Sequence, residues 1–141
     1  MKILFAADGS ENSLAALDAL IARMDWFRER PSISMVNVHS KLPYPGATAW
    51  VGREAVQKYY DEESQAALQP AIQRLDAKGI PHDAVTLVGD AAAEITRHAS
   101  QGGYDVIVMG THGHTALSNL VMGSVATKVL ASSKVSVLFL R

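Results

Sequence analysis

The chain has 141 residues and a mass of 15.1 kDa, enough for one domain with a substantial core. Hydrophobic residues make up 48% and charged residues 19%, which excludes a disordered chain; the formal net charge of −1 offers no bulk attraction for nucleic acid or a membrane surface. There are no cysteines, so disulfides, zinc thiolate sites and cysteine nucleophiles are excluded together.

The apolar opening Ile3–Ala7 stops at Asp8, too soon for the core of a signal peptide. No other run approaches the roughly 20 apolar residues of a membrane span. The expectation is a cytoplasmic protein with neither a nucleic-acid nor a membrane partner. Ile3–Ala7 itself reads as the first strand, and Asp8-Gly9-Ser10 as a turn into a helix over Glu11–Met24. The apolar face of that helix is Leu14, Leu17, Leu20, Ile21 and Met24. Asp8 stands at the carboxyl end of a strand, where open α/β sheets place their ligands. Asp8 with Glu11 also resembles a capping box, although Ser10 could cap the helix equally well.

Ser32–Val38 is predicted as the second strand, with His39 a solvated loop residue beyond it. Lys41–Gly52 carries Pro43, Pro45, Gly46 and Gly52 and reads as a mobile loop, its Tyr44 and Trp50 either covering a ligand or, the favoured reading, packing on a neighbouring helix. A helical region spans Arg53–Lys78, with a kink or break expected near Gln69 because Pro70 removes a hydrogen bond. Gly79 and Pro81 end it. Asp83–Val88 is the third strand, Gly89-Asp90 its turn, and Ala91–Ser100 a helix capped by Asp90. Gly102-Gly103 leads into a buried strand, Tyr104–Met109.

After that strand come Gly110-Thr111-His112-Gly113, nine residues, and Gly123-Ser124. From Leu120 the apolar residues recur at helical spacing, which puts Gly123-Ser124 in the first turns of a helix. Val135–Leu140 is the last strand. Nine alternating strands and helices predict an α/β fold, a single domain over 1–141 with a parallel sheet and right-handed crossovers. A glycine loop between strand and helix lets backbone N–H groups approach an anion at the positive end of the helix dipole, and Ser124 adds a hydroxyl donor. The stretch is suited to holding phosphate.

The spacing G-x2-G-x9-G-(S/T), filled by Gly110, Gly113, Gly123 and Ser124, resembles the nucleotide-binding branch of the universal stress proteins. The likeness runs from Ile3 to Leu140, and Asp8-Gly9-Ser10 matches the family's Asp-Gly-Ser after its first strand. The chain departs from the family at Ala91 and about Ser136, where a proline is usual. The resemblance implies a Rossmann-like, open five-stranded sheet in the order 3-2-1-4-5 with helices on both faces. Its switch point would then lie between strands one and four, with Asp8 beside the Gly110 loop. It further implies ATP as ligand, with AMP or ADP as alternatives. Gly110, Gly113, Gly123 and Ser124 would hold phosphates, helped by the Val125 N–H, with Met109 against the ribose. Ala6 and Val38 would border the adenine, and Ala7 belongs to the same binding set. Asp8 would meet ribose hydroxyls or a Mg2+ ion carried by the nucleotide.

Other chemistries find less support in the residues. There is no G-x4-G-K-(S/T), no G-x-G-x-x-G after a strand and no G-x-S-x-G. Of five histidines only His112 and His114 are close in sequence, and they read as flanking the phosphates; Lys128 is a weaker phosphate candidate on a solvated helix face. The function expected is a nucleotide-responsive stress-response regulator. The alternatives are a slow ATP hydrolase using the same pocket and an interaction module with a vestigial one. No general base, second carboxylate or arginine accompanies the loop to support hydrolysis. The final strand, an edge in the implied order and with no residue but Arg141 beyond it, is expected to form a homodimer through Val135–Leu140.

Overall fold

The computed structural model describes residues 1–41, 52–113 and 122–141. Its first strand, β1 (Lys2–Ala6), is apolar throughout its middle because it lies at the centre of the sheet, with Ile3, Leu4 and Phe5 fully buried. Then follow α1 (Glu11–Ile21), a short 3-10 turn (Met24–Trp26), β2 (Ser32–His39), α2 (Arg53–Ala77), β3 (His82–Val88), α3 (Ala91–Gln101), β4 (Val106–Gly110), α4 (Ser124–Ser132) and β5 (Ser136–Leu140). The five strands are all parallel, in the order β3-β2-β1-β4-β5. The order implied by the resemblance is therefore the order found.

Alternation along the strands divides the core in two. Ile3, Phe5, Ile33, Met35 and Val108 face α1 and α2, meeting Leu17, Leu20, Leu68 and Leu75. Leu4, Val36, Ile107 and Met109 face α3 and α4, meeting Ile95, Ala99, Ala126 and Val129. Successive strand residues point to opposite faces, so a continuous apolar run serves both layers.

Several boundaries differ from expectation. The helix after β1 ends at Ile21, and Met24 belongs to the 3-10 turn. α2 runs unbroken through Pro70, so of the kink or break expected near Gln69 the break is not found. Leu68, Ala71 and Leu75 are buried on either side of the proline, and this packing offsets the roughly 3 kcal/mol an interior proline costs. Arg74 also donates from Nη1 to the Pro70 carbonyl at 3.0 Å. The stop at Gly79 is as expected: with φ of 59°, it lets Gly79 and Ile80 donate to the Asp76 and Leu75 carbonyls, a Schellman arrangement.

β4 begins at Val106, because Tyr104 is buried against His98 outside the ladder and the backbone N–H of Asp105 donates to Lys2. The last helix starts at Ser124, with Gly123 as its N-cap, rather than among the residues from Leu120; Leu120 itself lies outside the described residues. β5 begins at Ser136, and as an edge strand it leaves Ser136 and Leu138 exposed. Asp90 caps α3 as expected, accepting from the Ala93 N–H at 3.0 Å. Tyr44 and Trp50 lie outside the described residues. Among the described residues, no helix is long and apolar enough to cross a membrane.

Candidate functional site

The carboxyl ends of β1 and β4 lie side by side, with Ala6 opposite Met109. From there β1 leads to α1 on one face of the sheet and β4 leads towards α4 on the other. This divergence opens a crevice at the switch point, where the sheet itself cannot fill the space.

Asp8 stands at the mouth of the crevice. It is not the cap of α1: Ser10 takes that role, its hydroxyl accepting from the Ser13 N–H at 3.1 Å. The Asp8 carboxylate instead accepts from the Ser10 N–H at 3.0 Å and from the Ser10 hydroxyl at 2.6 Å. The turn needs glycine at position 9, where φ is 77° and a Cβ would sit 3.0 Å from the Ala67 backbone.

The second wall is the glycine loop. A Cβ at Gly113 would lie 2.6 Å from Asp8 Oδ2, so a side chain there would push the carboxylate aside. Asn12 reaches across from α1, donating from Nδ2 to the Gly113 carbonyl at 3.1 Å. Gly123 donates its N–H to the Thr111 carbonyl at 2.7 Å, which ties the start of α4 to the loop. Gly123 brings no side chain to cap α4, so the first-turn N–H groups at Ser124 and Val125 remain available at the positive end of the helix. An anion is the natural partner of such a helix end.

The expected site residues Ala6, Ala7, Asp8, Val38, Met109, Gly110, His112, Gly113, Gly123, Ser124 and Val125 all line this one cleft. Its volume of about 180 Å³ is room for more than isolated waters, each of which takes roughly 30 Å³. His114 lies outside the described residues. His112 contributes to the wall and shares a 2.9 Å hydrogen bond from its Nδ1 with the Thr111 hydroxyl. Lys128 is absent from the lining and sits 3.8 Å from Asp90 on the outer surface. Asp8 is the one carboxylate among the lining residues.

Sequence reasoning missed other parts of the wall: Ser13, Val36, Asn37, Ala91, Ile95 and Ala126. Asn37 is buried and donates from Nδ2 to the Ala7 carbonyl at 2.7 Å, while its Oδ1 accepts from Ser64 at 3.3 Å. His39, expected to be solvated, is half-buried at the end of β2, its Nε2 2.5 Å from the Ser64 hydroxyl and its ring against Tyr60. β2 carries Ser32 and Ser34 as well as Asn37, so no local signal singled the asparagine out, and its partner Ser64 is 27 residues away in sequence.

The sheet order and the switch-point cleft define an open, parallel α/β protein of the Rossmann-like class. The chain belongs to the universal stress protein family, whose model matches residues 1–141. It is 32% identical over 141 residues to the universal stress protein MJ0531 of Methanocaldococcus jannaschii, covering 99% of this chain and 81% of that one. The solved structure of MJ0577 from the same organism superposes with a TM-score of 0.80 at 25% identity, covering 99% of this chain and 94% of the other. The universal stress protein of Archaeoglobus fulgidus, solved in complex with dAMP, shares the fold with a TM-score of 0.64 at 23% identity, covering 100% and 98% of the two chains.

Proposed function

We propose that this protein binds ATP in the cleft between β1 and β4 and acts as a nucleotide-responsive regulator of the cytoplasmic stress response. The observation that carries the reading is the convergence of two stretches distant in sequence: Asp8 after β1, and the Gly110–Gly113 loop with the start of α4 at Gly123-Ser124. The glycine loop and the helix end supply backbone donors for phosphate. Asp8 lies within the same cleft, where a ribose hydroxyl or a nucleotide-borne Mg2+ ion would meet its carboxylate. Val38, Ala91 and Ile95 supply an apolar flank for a flat base. A relative of the same fold in complex with dAMP supports an adenine nucleotide as the ligand class. Isothermal titration with ATP, ADP and AMP, with and without Mg2+, tests the reading: saturable binding with ATP tightest is expected, and no heat from any of the three would refute it.

The same reading includes a homodimer through β5. This edge strand presents Val137, Leu138 and Phe139 only partly covered, and Leu130 of α4 is 56% exposed. No proline or inward charge discourages a second β5 from pairing with it. Antiparallel pairing about a two-fold axis would satisfy the unpaired edge groups of both copies. Light scattering at micromolar concentration should give twice the chain mass for the parent and the chain mass for Val137→Pro; a monomeric parent would exclude the dimer.

A further inference from the structure

Ser13 occupies the first turn of α1 on its buried side, four residues before Leu17. It is 4% exposed, and its hydroxyl finds no hydrogen-bond partner in the protein. Serine in a helix can usually bond back to a carbonyl one turn earlier, and an unmet buried hydroxyl destabilises the fold. Ser13 is also part of the cleft wall. The hydroxyl oxygen itself is closed to solvent, so a ligand in the cleft would meet it once the short side chain turns about χ1, and an unmet hydroxyl loses no hydrogen bond in turning.

We propose that the Ser13 hydroxyl hydrogen-bonds a ribose hydroxyl of the bound nucleotide, an inference that rests on the nucleotide reading above. Its position within the cleft selects that part of the ligand. The apolar flank of Val38, Ala91 and Ile95 suits the base. The start of α4 and the glycine loop suit the phosphates. Ser13 belongs to neither group and is linked instead to Asp8: the Ser10 hydroxyl both donates to Asp8 Oδ1 at 2.6 Å and accepts from the Ser13 N–H at 3.1 Å. A carboxylate in this corner repels phosphate and attracts a hydroxyl donor. A ribose hydroxyl can donate to Asp8 and still accept from Ser13, or the reverse, since each hydroxyl has one donor and two acceptor positions. Ser13 thus makes the cleft sensitive to the sugar.

The test is isothermal titration of the parent and Ser13→Ala with ATP, 2′-deoxy-ATP and 3′-deoxy-ATP, paired with thermal melts of the ligand-free proteins. Ser13→Ala is expected to bind ATP about three- to tenfold more weakly. It should match the parent for the one analogue that lacks the contacted hydroxyl. Its ligand-free melting midpoint should equal or exceed the parent's, because the mutation removes an unmet polar group. Unchanged ATP affinity in Ser13→Ala would overturn the contact, and an equal loss with all three nucleotides would overturn its assignment to the sugar. A lowered melting midpoint would make the hydroxyl structural. A parent that binds none of the three would overturn the nucleotide reading itself, and this contact with it.

Discussion

Two of the strand-to-helix turns pair a glycine with an aspartate, and the two aspartates do different work. After β3, Asp90 is the N-cap of α3: it accepts from the Ala93 N–H, and its other oxygen lies 3.8 Å from the Lys128 ammonium. After β1, the corresponding task falls to Ser10, and Asp8 stands two residues earlier, in the cleft wall. Capping needs a short side chain with an acceptor oxygen, and serine meets that need as well as aspartate. With the cap supplied by Ser10, the charge of Asp8 can face the switch point. The aspartate in the cleft wall is the one that leaves the cap to serine and holds that serine through its N–H and hydroxyl.

The comparison is broken most severely from outside both turns. Gly123→Val would place a branched side chain where even a bare Cβ comes within 3.3 Å of the Thr111 carbonyl and 3.4 Å of the His112 Cα. The loop would be displaced from the start of α4, and ATP binding should be lost in a titration while the caps at Ser10 and Asp90 remain. Parent-like affinity in this mutant would mean that the loop does not hold phosphate.

Asp8→Ala comes next in size. The loss of a charged hydrogen-bonding group from the site should weaken ATP binding by about 1–3 kcal/mol. The thermal midpoint of the ligand-free protein should fall only modestly: Ser10 loses the acceptor for its N–H and hydroxyl but keeps its cap on the Ser13 N–H. The opposite pattern, normal binding and a lower midpoint, would make Asp8 a structural residue like Asp90.

Asp90→Ala sharpens the contrast with the smallest effect. It should cost about 1 kcal/mol of stability, the usual value of an N-cap, and shift the melting midpoint by a few degrees, roughly 2–4 °C. Its ion pair with Lys128 adds little, because both side chains are largely exposed. ATP affinity should be that of the parent. A weakened site in Asp90→Ala would show that α3 is coupled to the cleft through Ala91.

Much of the site was legible because its parts are local. The spacing of Gly110, Gly113 and Gly123 with Ser124 can be read without any knowledge of distant contacts, and Asp8 follows directly from its place after a strand. Ser13 was legible in principle: it is a hydroxyl on the apolar stripe that continues through Leu17 and Leu20. Asn37 and His39 were not, since their roles depend on Ser64 in α2, which no local pattern connects to β2. Pro70 misled for a related reason. Local chemistry argues for a break at that residue, and only the burial of Leu68, Ala71 and Leu75 explains why the helix continues.

The sequence by itself determined the alternation of strands and helices, the cap at Asp90, the stop at Gly79 and the glycine loop. Each depends on backbone geometry or hydrogen bonds within a few residues. Sheet order came from family resemblance, because parallel strands are joined through long crossovers and nothing local says which strands become neighbours. Tertiary structure decided that Asp8 stands in the cleft wall against Gly113, with its Oδ2 in the space a side chain at Gly113 would take. It also decided that a buried serine would be left without a partner at the cleft. The approach of Asp8 to Gly113 joins residues more than a hundred positions apart, and the cleft exists only once the sheet has brought β1 and β4 together.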